Sequence, residues 1–374
     1  MTEAKKDRTV KAIGLMSGTS FDGVDAAVLE TDGEGVVFPG PALTHAYDSE
    51  MRERLRAALQ EAAGKPLGSE MSKRMQETEI QLTLAHARAV ESLLEESRLK
   101  TDEIAYIGFH GQTILHRPRE HRTWQLGDGA MLANITGIPV VSDFRCADIA
   151  SGGQGAPFAS LYHQALAKHA GALLPMVVLN IGGVANVTYI GPDEELLAFD
   201  TGPGNAPIDD LMMKRLGEPM DRDGVLAEKG IVHQDAVMQM LSHPYFSLPP
   251  PKSLDRFDFT NDFVSGLSLE DAVATLTAFT VLSIVRATEH FPSHERGWLI
   301  AGGGRHNLSM MKSLRGVLRA PVLPVEKAGW RGDFLEAEAF GYLAVRSARN
   351  WPLSLPCTTG VSKPMSGGHL YQPA

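Results

Sequence analysis

The chain has 374 residues, 43% of them hydrophobic and 21% charged, with a formal net charge of −10. Its length favours two domains over one continuous core. Its acidic balance, with no long basic run, excludes non-specific nucleic-acid binding, which needs clustered Lys and Arg. The two cysteines, Cys146 and Cys357, lack CxxC spacing and exclude both a disulfide framework and a cysteine zinc site.

Residues 1–10 are charged and polar, without the apolar centre of a signal peptide. Two apolar runs, 10–15 and 24–29, then flank a polar turn holding Ser17, Gly18, Thr19, Ser20, Asp22, Gly23 and Asp25. Gly18 and Gly23 permit positive φ and close backbone approach. The hydroxyls and successive N–H groups can cradle an anion. Asp22 and Asp25 suit a phosphate that arrives with Mg²⁺. A plain hairpin turn accounts for the same residues equally well.

Helical spacing follows. Ser49 is an expected cap for a helix carrying Met51, Leu55 and Leu59, and residues 71–94 contain no Gly or Pro. There Ile80, Leu84, Ala87, Val90 and Leu94 form an expected core stripe. Residues 104–107 read as a buried strand delivering 108–113 at its end, and 151–157 as a hinge or loop. The most apolar stretch, 172–190, is interrupted by Pro175, Asn180, Gly182, Gly183 and Asn186, so it reads as strands and not as a membrane span. A cytoplasmic location is expected.

Within that stretch a strand at 176–179, a turn at Gly182-Gly183 and a strand at 187–190 repeat the opening pattern. Residues 196–199 form an apolar run ending at Asp200, followed by a Gly- and Pro-rich turn to Asn205. A carboxylate so placed suits general-base catalysis. An Asp satisfying turn N–H groups is the competing explanation. A Ser268/Asp271 capping box opens a helix with Val273, Leu276, Phe279 and Leu282. Finally 298–301 is a strand leading into Gly302-Gly303-Gly304 and a helix from Asn307. Both halves thus run from strands to helices, as expected of an ancient duplication.

Three glycine turns, each ending a strand-like run, resemble the nucleotide site of the actin-like ATPase superfamily. The resemblance sharpens when the blocks are taken together. Residues 16–20 with Asp22, Gly23 and Asp25 are similar to the phosphate motif of the anhydro-N-acetylmuramic acid kinases. So are Gly111-Gln112-Thr113, 142–145, 152–157, 180–183, 199–205, 221–224 and 302–304, in the family's order from residue 12 to about 345. Two departures stand out. Phe21 replaces the usual Leu or Met, and Leu254-Asp255-Arg256 follows Pro250-Pro251-Lys252-Ser253 where many members have Thr-Gly-Arg.

The resemblance implies an α/β, two-domain actin-like ATPase fold (ribonuclease H-like, duplicated) with a nucleotide cleft between the domains. The expected domains are 1–143 with 356–374, and 144–355. Carried over, Gly18, Thr19, Ser20, Phe21, Asp22, Gly23, Val24 and Asp25 bind the triphosphate of ATP with Mg²⁺. Gly182 and Gly183 form a second phosphate turn, and Gly302, Gly303 and Gly304 lie beside the adenosine. Asp200 is the catalytic base, and Thr113, Arg145 and Glu336 bind the amino sugar. Helix spacing alone does not separate Glu336 from Glu338. His110 and His163 are expected to be structural, and direct metal ligands are not assigned. The implied reaction opens the 1,6-anhydro bridge and phosphorylates O6. The resemblance is compatible with a homodimer but names no interface. A nucleotide-switched binding protein or an ordinary hexose kinase on the same fold are the competing readings.

Overall fold

Apolar runs separated by polar glycine turns dictate a hairpin at the start of each half. The computed structural model describes residues 9–18, 20–65, 69–256 and 258–374. Contacts group the chain into two units: Met1–Ala172 with Phe334–Ala374, and Leu173–Asp333. The expected boundaries at 143/144 and 355/356 differ from this grouping. The helix Leu335–Ala348 packs so closely on the first unit's sheet that a Cβ on Gly108 would stand 2.0 Å from the Phe340 carbonyl oxygen. The helix Ser160–Ala170 joins the same unit, where its Tyr162 hydroxyl donates to Glu338 at 2.7 Å.

In the first unit, β1 (Val10–Ser17), β2 (Gly23–Thr31) and β3 (Val37–Ala46) form an antiparallel meander. β4 (Ile104–Arg117) lies parallel to β1, β5 (Arg122–Leu126) pairs with β4, and β6 (Val140–Ser142) lies parallel to β4. The strand His369–Tyr371 pairs with β6. Residues 108–113 therefore lie inside β4 and not beyond its end.

Two helices cover the crossover from β3 to β4. Ser49–Gly64 is capped by Asp48, whose carboxylate accepts from the Met51 amide at 2.7 Å, so the cap precedes the expected Ser49 by one residue. Lys73–Ser97 buries Met75, Leu82, His86, Ala89, Val90 and Leu93, while Ile80 is 45% exposed. The buried face is rotated from the expected stripe because it also carries Thr78, Thr83 and His86, which hydropathy spacing does not count.

The second unit repeats the plan. β7 (Met176–Ile181), β8 (Val184–Ile190) and β9 (Leu196–Pro203) form an antiparallel meander, and β10 (Trp298–Ala301) and β11 (Val322–Pro324) continue the sheet in parallel from β7. The order β9-β8-β7-β10-β11 matches β3-β2-β1-β4-β6. This is the duplicated, ribonuclease H-like arrangement implied by the resemblance. The helix Leu269–Ala287 opens as expected, with the Ser268 hydroxyl accepting from the Asp271 amide at 3.1 Å. Extended to His290 it is long and apolar enough to cross a membrane, yet 67% of its apolar window is buried inside the protein. Its Val273, Leu276 and Phe279 belong to the second unit's core.

Candidate active site

In the second unit β7 and β10 run side by side, with Asn180 opposite Ala301, so the turns following both strands emerge at one end of the sheet. Gly302 has φ +72°, and a Cβ there would stand 2.3 Å from Asn180 Oδ1. The Asn205 amide donates to the Gly182 carbonyl at 2.7 Å, and the Gly204 amide to the Gly183 carbonyl at 2.9 Å. The Asn205 side-chain amide donates to the Ile181 carbonyl at 3.2 Å. The expected nucleotide residues Gly182, Gly183, Gly302, Gly303 and Gly304 are thus gathered in one glycine-lined patch around Asn205. Nothing in the sequence singles out Asn205 within the 199–205 block that it ends.

Asp200 stands within β9, opposite Asn186, and not in a turn after it. The strand continues because Gly202 and Pro203 still pair with Ala185 and Val184. Asp200 is buried, 5% exposed. Its amide donates to the Lys252 carbonyl at 2.9 Å, and its Oδ2 accepts from the Leu254 amide at 2.8 Å. The loop whose sequence departs from the family pattern therefore grips Asp200 from both its backbone and its side chain. Backbone bonds made over some fifty residues of chain leave no local signature, so only the unassigned Pro-Pro-Lys-Ser run could have pointed to them.

In the first unit Gly18 and residues 20–22 lie between β1 and β2, at the hairpin tip; Thr19 lies outside the described residues. Ser17 is buried and donates to Gln112 Oε1 at 2.7 Å, while Gln112 Nε2 donates to the Gly18 carbonyl at 3.1 Å. Gln112 thereby braces the turn, a role the sequence did not reveal. Positive φ occurs at Phe21, +55°, and at neither Gly18 nor Gly23. Gly23 serves close approach, since a Cβ would meet the His45 carbonyl oxygen at 2.5 Å. Phe21 and Val24 point into the core. Ser20 donates to Asp22 Oδ1 at 2.8 Å, and Thr44 to Asp25 Oδ1 at 2.6 Å.

The same unit holds the three expected sugar residues. Thr113 on β4 accepts from the Gln125 side chain at 3.2 Å. Arg145 donates through Nε and Nη2 to His110 Nε2 at 3.1 and 3.0 Å. His110 is the Nδ1–H tautomer, donating to the Gly111 carbonyl at 2.7 Å, since a carbonyl can only accept. Burial, with the neighbouring Arg145 charge, holds the His110 imidazole neutral, well below its ordinary range. Glu336 is exposed, while Glu338 is 1% exposed and bonded to Tyr162. Although solvent reaches it, Glu336 is crowded by protein atoms that push its carboxyl up, with Arg145 pulling the other way. Geometry thus separates the two glutamates that spacing could not.

The family model for anhydro-N-acetylmuramic acid kinase matches residues 10–373. The chain belongs to that family. A relative from Paramagnetospirillum magneticum, named anhydro-N-acetylmuramic acid kinase, is 50% identical over 365 residues, covering 97% of this chain and 99% of its own. One of the same name from Rhodospirillum rubrum is 50% identical over 371 residues, covering 99% and 96%. Among the described residues of this family member, no group of three or more His, Cys, Asp or Glu is placed to hold a metal. The exposed Asp22 carboxylate, beside the hairpin tip, fits a Mg²⁺ ion held mostly by phosphates and waters.

Proposed function

We propose that this chain uses ATP to convert 1,6-anhydro-N-acetylmuramic acid to N-acetylmuramic acid 6-phosphate, with ADP as the second product. Asp200 is the general base. It takes a proton from a water that attacks C1 on the face opposite the anhydro bridge, the geometry of inverting glycoside hydrolysis. The C1–O6 bond breaks, and O6 attacks the γ-phosphorus as the bond to ADP breaks. Phosphoryl transfer then takes the place of protonating the leaving oxygen.

The glycine turns at 182–183 and 302–304 take the nucleotide, and residues 18–25 its phosphates. Phe21 and Val24 contribute through the backbone, because their side chains are spent in the core. Asp22 would be among the residues holding a Mg²⁺ ion, which when bound would supply charge neutralisation for the transfer. Thr113, Arg145 and Glu336 orient the sugar. The biological setting is recycling of peptidoglycan fragments in the cytoplasm.

The observation that carries this reading is the Asp200 carboxylate, fixed on a strand and held by the Leu254 amide. A hexose kinase would need a base aimed at a free hydroxyl, and a nucleotide switch would need no small acceptor. An ATP-coupled assay comparing the anhydro sugar with N-acetylglucosamine separates them. Turnover with the anhydro sugar alone is expected. Turnover with N-acetylglucosamine, or ATP hydrolysis indifferent to either sugar, refutes the reading.

A further inference from the structure

Lys252 lies in the interior of the second unit, 6% exposed, on the loop left without a role. Its ammonium donates to the Tyr245 carbonyl at 3.3 Å and stands 4.7 Å from the centre of the Tyr245 ring and 5.9 Å from that of Phe199. The Tyr245 hydroxyl donates in turn to the Asp200 carbonyl. The Lys252 carbonyl accepts from the Asp200 amide at 2.9 Å. These bonds close a ring through Asp200, Tyr245 and Lys252, and the Leu254 amide adds the hold on Oδ2. A buried ammonium is costly unless compensated, and here two aromatic faces and a carbonyl supply the compensation.

We propose that Lys252 and Tyr245 are positioning residues that fix Asp200 in the direction required of a general base. The proposal rests on the reading of Asp200 given above. Proton abstraction depends on placement to a fraction of an ångström, and neither residue need touch the substrate to matter. Arg286, Glu289 and His290 are the charged and titratable groups acting on Lys252 from the helix and turn packed against it. Burial, reinforced by Arg286 and opposed by Glu289, brings the Lys252 ammonium down to about 8. The cation is present below that pH and lost above it, so kcat is expected to fall as pH rises through about 8.

Two variants test the ring. Lys252→Met removes the charge and keeps an apolar stem; Tyr245→Phe removes the hydroxyl that donates to the Asp200 carbonyl. Each is expected to lower kcat about 10- to 100-fold, the scale of a small misplacement, with KM for ATP and sugar little changed. Lys252→Met should also lose the alkaline limb, and Lys252→Arg should restore part of the rate and move the limb upward. Hydrogen exchange of peptides spanning 196–203 and 250–256 reads the hold on Asp200 without any turnover, and faster exchange is expected in both variants. An inactive parent whose variants still exchange faster refutes the functional reading and leaves the hold on Asp200 supported. An active parent whose variants keep rate, alkaline limb and exchange overturns the proposal. So does activity lost only in proportion to the unfolded fraction.

Discussion

A Cβ on Gly204 would stand 2.2 Å from the Gly182 carbonyl oxygen, so the two turns can meet only with glycine at 204. Gly204→Ala must move backbone and is expected to cost about 1–3 kcal/mol of stability. At Gly303 the nearest atom to a Cβ is Asn205 Nδ2 at 3.6 Å, and at Gly18 it is Ser20 Oγ at 3.6 Å. Gly303→Ala and Gly18→Val should therefore fold normally yet bind ATP more weakly. Thermal melts beside calorimetric titration check both, and unchanged ATP affinity in the folded variants would remove these turns from the nucleotide site.

Glu336 and Glu338 should respond differently to the same change. Glu336→Gln is expected to weaken sugar binding by about 1.5–3 kcal/mol, the value of a hydrogen bond to a charged group, with ATP binding nearly intact. Glu338→Gln alters the buried bond to Tyr162 and should instead lower the melting temperature. Equal losses for sugar and ATP in the Glu336 variant would make its role a general electrostatic one.

Acid should weaken the first unit through its buried histidines. Burial lowers His86 to about 4 and His116 and His163 to about 3, from an ordinary 6.5. Between about pH 6.5 and 4 the unfolded chain takes up protons that the folded chain refuses, so stability falls as pH falls. Each such histidine contributes a slope of up to about 1.4 kcal/mol per pH unit in that window. Urea midpoints measured across it should decline, and less steeply in His86→Leu. A midpoint independent of pH contradicts the account.

Much of this was legible because glycine turns between apolar runs have a local cause. The hairpin of β1 and β2, the turn at 182–183 and the strand–glycine–helix run through Gly302 all lie where the sequence placed them. What escaped the sequence depends on distant partners. Glu338 differs from Glu336 in its buried bond to Tyr162, 176 residues away. The brace on the first hairpin turn comes from Gln112, 94 residues from Gly18. Asp200 looked like a turn residue because Gly202 and Pro203 follow it, and only cross-strand pairing shows that the strand continues.

Asp200→Asn is nearly isosteric and keeps an acceptor for the Leu254 amide. Folding and binding of both substrates should survive, while turnover falls by at least the 10²–10⁴-fold typical of a lost general base. Bridge opening and ADP formation should fall together in single-turnover assays. ADP release that persists while the bridge stays closed would uncouple the two events and contradict the mechanism.

The most direct test of the central claim is to run the parent enzyme in ¹⁸O-water and locate the label before the anomeric hydroxyl exchanges with solvent. If Asp200 directs water to C1 while O6 takes the phosphate, the label sits on C1 and the oxygen bridging C6 and phosphorus is unlabelled. Label in that bridging oxygen, or in free phosphate in place of C1, would contradict the account.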